Sequence, residues 1–134
     1  MRAKDLAGNK DANTTQKMAV TGAVSFSGQV QPMLASYCQG GNCHSGGSPQ
    51  DGLSLSSAAN SYAGLVSKPS AHCTGDLRVT PSMPDKSYLV WKLQGMSPVG
   101  QCTLVGSRMP VGGMLSAGDM NTIRQWITAG ALNN

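Results

Sequence analysis

The sequence predicts an all-α domain of three to four short helices joined by long loops, and three observations predict it. Apolar residues recur at intervals of three and four in several separate stretches. No stretch alternates strictly between hairpin turns, so strands are not expected beyond one short pair. Most of the seventeen glycines and seven prolines fall between the periodic stretches.

The first stripe is Phe26, Val30, Met33, Leu34 and Tyr37, which fall on one helical face. Ser25 or Ser27 offers a hydroxyl to cap its start. Pro32 lies too deep for a regular first turn, so this helix is expected to begin late or to kink. Gly40 and Gly41 stop it at Cys38. From His44 to Leu55 the Ser, Gly, Pro and Asp residues dictate a loop. A short helix is expected around Ser57 to Val66, broken by Lys68-Pro69. Pro81 and Pro84 bracket the start of another from about Asp85 to Gln94, carrying Tyr88, Leu89, Trp91 and Leu93. Glycines and prolines between Gly95 and Gly113 make an irregular loop. The last helix is the clearest: Ser116 and Asp119 form an S-x-x-D cap, and Met120, Ile123, Trp126, Ile127 and Ala131 repeat on one face up to an end at Gly130.

A chain of 134 residues is long enough for one core and short for two. Residues 1–22 mix Lys, Asp, Asn, Thr, Ala and Gly without periodicity and read as a flexible arm, leaving 23–134 as the domain. One Phe, three Tyr and two Trp make a core poor in large rings, which gains less from burial than most. Long loops in so small a domain are unusual unless they wrap something large. Both features point to a bulky cofactor or to cross-links.

The formal charge is +4. Within the first 20 residues Arg2, Lys4, Lys10 and Lys17 stand against Asp5 and Asp11, and the rest of the charge is scattered. Without a clustered basic face, no nucleic-acid partner is expected. No run approaches the roughly 18 to 20 apolar residues of a membrane span. Met1 to Lys17 is polar and lacks the apolar centre of a signal peptide. Four cysteines in a Ser/Thr/Gly-rich chain without Glu fit an oxidising compartment. If the protein is exported, as this implies, the sequence is that of a processed form or lacks its signal.

Cys38-Gln39-Gly40-Gly41-Asn42-Cys43-His44 carries the chemistry. The ordinary attachment motif for covalent haem is C-x-x-C-H: two thiols add to the two vinyl groups and the adjacent His ligates iron. Here two further residues must be looped out, and Gly40 and Gly41 make that cheap because glycine reaches positive φ without a steric penalty. The same residues allow other chemistries. Cys38 and Cys43 could close a small disulfide loop, with His44 merely solvated. A zinc site would need a fourth ligand, and no second Cys/His pair lies at finger-like spacing. A copper site of Cys, His and Met needs a rigid sandwich for which the sequence gives no sign.

The order of features resembles class I c-type cytochromes: an amphipathic helix running into Cys…Cys-His, a loop-rich middle, a Met-Pro step and a Trp-bearing last helix. Gly106-Ser107-Arg108-Met109-Pro110 looks like that family's methionine-ligand loop. More narrowly, Ser87-Tyr88-Leu89-Val90, Lys92-Leu93-Gln94-Gly95, Arg108-Met109-Pro110, Ile123, Trp126-Ile127 and Gly130-Ala131 are similar to phrases of single-haem domains of bacterial exported proteins. The resemblance covers about residues 25 to 131 and departs from the family in its four-residue spacer. It implies a cytochrome c-like fold around one covalent haem c, with His44 and Met109 as the iron ligands. His72, Met114 and Met96 stand in reserve for the distal position, while Met33 and Met120 belong to helical stripes. Arg108, Tyr88 and Trp91 are candidate partners of the haem propionates or ring edge.

Ligation by His and Met raises the reduction potential and leaves no open position at iron. The expectation is therefore electron transfer between redox partner proteins in the periplasm or outside the cell, and not enzymatic catalysis. Cys73 and Cys102, the remaining even pair, most simply form a disulfide that staples the middle loop to the Met109 loop. The arm is a candidate tether to a membrane or a larger assembly. Two further hypotheses are a haem-free, disulfide-stapled exported interaction domain, and a haem enzyme or gas sensor in which Met109 does not reach the iron.

Overall fold

A computed structural model describes residues 24–38 and 43–134. The arm expected over residues 1–22 and the Gly40-Gly41 loop lie outside the described residues. Within them the fold is all-α, with four α-helices and no strand.

The first stripe begins as a π-turn, Phe26–Val30, and continues as α1, Gln31–Cys38. Of the two serines that could cap it, Ser25 does so, its Oγ accepting from Gly28 N at 3.0 Å. The hydrogen bonds then run five residues back: Val30 N to Ser25 O at 3.2 Å, and Gln31 N to Phe26 O. Pro32 is the physical reason. It has no N–H to donate, and its ring needs room beside the carbonyl four residues earlier, which a wider turn supplies. The expected kink is thus realised as a widening. Phe26, Val30, Leu34 and Cys38 are buried. Tyr37 is not: it stays exposed and its hydroxyl donates to the Asp119 carboxylate at 2.9 Å.

Helix α2 is Ala58–Leu65, capped by Ser57 Oγ, which accepts from Asn60 N. Helix α3 is Tyr88–Gln94. The single helix expected from Asp85 is divided, because Pro84–Lys86 forms a separate 3-10 turn and Ser87 redirects the chain. Ser87 Oγ donates to Met83 O and accepts from Thr80 N, both at 2.9 Å. Gly95 ends α3 at φ +84, where the left-handed backbone suits glycine. Helix α4 is Ala117–Thr128; Ser116 Oγ accepts from Asp119 N as the S-x-x-D pattern predicts. It ends two residues before Gly130, whose φ of +110 turns the chain so that Ala131 N reaches Trp126 O. Extended pairing among the described residues amounts to isolated bridges, Val66 with Val79, Pro69 with Leu77 and Leu77 with Ser87.

The core joins the two ends of the domain. Phe26 stacks against Trp126 with ring centroids 4.8 Å apart, and Tyr62 meets Phe26 edge-on at 5.4 Å. Full burial of a side chain such as Phe26 contributes about 1.5–3 kcal/mol. A seam of polar contacts follows the same junction: Asn134 O accepts from Ser25 Oγ and from both the N–H and the hydroxyl of Ser27, while Asn134 Oδ1 accepts from Phe26 N at 2.8 Å. A second, smaller cluster packs Tyr88 and Trp91 around Cys73.

Cys73 and Cys102 form a disulfide, with Cα atoms 5.9 Å apart, in the ordinary range for such a bond. It ties the middle loop to the segment that leads to Met109, as the residual-pair argument predicts. No helix among the described residues is long and apolar enough to cross a membrane.

Candidate functional site

Loops and helix faces leave a cavity of about 520 Å³, within the ~300–1,000 Å³ range of small-molecule and cofactor sites. Cys38, Cys43, His44 and Met109 all line it. These four come from the end of α1, the turn after the spacer and a distant loop, so the fold unites what the sequence separates by 71 positions (109 − 38). Leu53, Leu55, Leu65, Leu89 and Leu93 supply apolar wall, and Tyr88 closes one side.

His44 is held at three points. Its N–H donates to Cys38 O at 3.2 Å, its carbonyl accepts from Leu55 N at 2.7 Å, and its Nδ1 lies 3.1 Å from Leu53 O. A carbonyl only accepts, so Nδ1 is the donor in this contact and Nε2 is left for another partner. This is the arrangement in which a second hydrogen bond fixes the tautomer of a metal-binding imidazole. The residue is 9% exposed, so His44 is buried and not merely solvated.

Cys38 and Cys43 are free thiols. Burial pushes the Cys38 thiol up to about 11, with a smaller contribution from the charge of Cys43. At neutral pH Cys38 is therefore protonated, a poor spontaneous nucleophile or metal ligand. Among the described residues, the one trio of Cys, His or acidic ligand atoms within 4.8 Å of one another is Cys73, Asp76 and Cys102, and two of these are joined in the disulfide. Cys38, Cys43 and His44 do not converge as a zinc site requires.

The other sequence candidates divide. Tyr88 lines the cavity and is 7% exposed. Trp91 does not line it: the ring is fully buried in the second cluster, and its indole N–H donates to Asp85 O at 3.0 Å. Arg108 is exposed and its stem lies over Gly95, where an added Cβ would be 2.8 Å from Arg108 Cδ. It borders a separate shallow depression with Gly112, Gly113 and Met114. Met96 and Met114 are exposed and absent from the main cavity, whereas His72 is at its wall, paired with Asp51 at 3.0 Å.

Three polar groups of the wall were not read from the sequence. Arg78 donates to the carbonyls of Gly64 and Asp51 at 2.9 and 2.7 Å. Asp51 holds His72 through its carboxylate. Lys92 donates from Nζ to the carbonyls of Val105 and Ser107; burial lowers its pKa, with Asp51 opposing. Lys92 lies in a phrase already noted for its resemblance, but the role of each of the three is set by partners elsewhere in the chain. The cavity is thus apolar, with Arg78, Lys92 and the paired Asp51 and His72 as the charged and titratable groups of its wall.

No family model, no curated protein and no solved structure matches the chain. Its function is therefore read from its own residues.

Proposed function

We propose that this chain is an electron-transfer protein with a cytochrome c-like build, holding one haem c through Cys38 and Cys43. The observation that carries the proposal is the shared cavity: two free thiols, an imidazole whose Nδ1 is engaged by Leu53 O, and Met109 all line one apolar space. These residues fit the group. Cys38 and Cys43 would hold it through thioethers, each S–H adding across a vinyl group to give one C–S and one C–H bond with no external oxidant. His44, oriented through Nδ1 by Leu53 O, and Met109 would be the residues that hold the iron. Arg78 would bring positive charge toward the carboxylates of the porphyrin, while His72 Nε2 is taken by the Asp51 carboxylate, and five leucines make the wall apolar. Bound there, the haem would supply a one-electron Fe(III)/Fe(II) couple whose potential a His/Met pair raises.

Held by both residues, the group would serve to pass an electron between redox partner proteins in place of substrate chemistry at iron. The Cys73–Cys102 disulfide favours an oxidising location, periplasmic or extracellular.

The test is expression in a host with working haem-maturation machinery, followed by a haem stain of a denaturing gel and an intact mass. One haem retained after denaturation is expected. A folded, colourless product from that host would refute the proposal.

A further inference from the structure

Lys92 belongs to α3, yet it grips the loop that carries Met109 from two directions. Its main-chain oxygen accepts from Met109 N at 2.9 Å. Its ammonium donates to Val105 O at 2.6 Å and to Ser107 O at 2.7 Å. Gly106, between those two carbonyls, has φ +76, and a Cβ there would lie 3.5 Å from Lys92 Nζ. The left-handed backbone at Gly106 lets the carbonyls on either side turn toward one cation. No carboxylate lies within ion-pair distance of Lys92 among the described residues. The charge thus serves main-chain oxygens, and the loop bends around it directly before Met109.

We propose that Lys92 is a positioning residue that clamps the 105–109 segment and so holds the Met109 sulfur at the cavity. This rests on the reading of Met109 as distal iron ligand. Fixing a long, rotamer-rich side chain costs entropy. Charge-assisted hydrogen bonds to two carbonyls offset it, and the result is a loop with one arrangement instead of several. Without the ammonium the loop keeps the Met109 N–H contact and loses the other two, so the sulfur spends more time displaced.

The test compares the haem-loaded wild type with Lys92→Met, which keeps the stem and removes the donors, and Lys92→Arg, which restores them. Two readouts report the sulfur directly: the far-red sulfur-to-iron absorption of the ferric protein, and the affinity for added imidazole, which competes with Met109. Lys92→Met is expected to weaken the band and bind imidazole about tenfold more tightly, equivalent to ~1.4 kcal/mol in the displacement equilibrium; Lys92→Arg should recover most of both. If Lys92→Met fails to fold, Gly106→Ala loosens the same clamp with Lys92 intact and should give the same two changes. Wild-type values for both readouts in a folded Lys92→Met or Gly106→Ala protein would overturn the clamp. A wild type already lacking haem, or lacking the band, would overturn the underlying reading and the clamp with it, and is told apart because the defect precedes any substitution.

Discussion

The Nδ1 atom of His44 lies 3.1 Å from the main-chain oxygen of Leu53, and Leu53 is in turn held from behind by α2. The contact behind it is Gly64, where an added Cβ would meet Leu53 Cδ1 at 2.9 Å. Two effects oppose each other in Gly64→Ala. Helix propensity favours alanine by up to about 1 kcal/mol, and crowding of Leu53 costs about 1–3 kcal/mol. Because the crowded atom is the end of a flexible side chain, the lower figure applies, and the net change should stay within about 1 kcal/mol, or roughly 5 °C in thermal midpoint. A larger loss on thermal denaturation would mean that Leu53 cannot yield.

Replacing Met109 with Ala should separate the distal candidates. The reduction potential is expected to fall by on the order of 0.1 V, within the ~0.8 V over which axial ligands set haem potentials. The ferrous protein should also gain carbon monoxide binding. Met96→Ala and Met114→Ala, which alter exposed side chains outside the main cavity, should leave the potential and the spectrum as they are. Redox titration and carbon monoxide difference spectra read both effects.

Removal of the Cys73–Cys102 disulfide by a double Ser substitution should destabilise the protein by about 3–4 kcal/mol in the chain-entropy treatment of a loop with a separation of 29 residues. Denaturant titration of the oxidised wild type against the double variant gives this difference. Equal stabilities would show that packing of Tyr88 and Trp91 alone holds that corner.

In the haem-free protein the Cys38 thiol, raised by burial from the usual value near 9 to about 11, binds its proton more tightly when folded than when unfolded. The folded state then carries more protons between those two values, so stability falls as pH rises through about 9 to 11, and none of this contribution is lost below pH 8. Denaturant midpoints of the haem-free chain between pH 7 and 11 should show the decline. Alkylation at pH 8 should modify Cys43 well before Cys38, read by mass of the labelled peptides.

Much of the helical frame was legible because periodicity and caps are local: Ser25, Ser57 and Ser116 each cap a helix where the sequence puts one. Cys38, Cys43 and His44 were legible as types and spacing and Met109 through the resemblance, and all four line one cavity. Legibility ends where a residue's role depends on a distant partner. Trp91 and Arg108 carry the right chemistry for a cofactor edge, but tertiary packing turns one into the disulfide cluster and the other over Gly95. Arg78, Asp51 and Lys92 entered the wall through main-chain carbonyls, which any sequence offers everywhere and which therefore leave no pattern to read.

The seam at Asn134 couples the two extremities of the described domain. Three hydroxyl and amide donors of residues 25–27 converge on its backbone oxygen, and its side chain spans Phe26 N and Val24 O. Opening at Asn134 strips the turn at 25–27 of its acceptors. Local opening there is a shared event, and amide protons at positions 26 and 27 should exchange with solvent in step with those of the final turn.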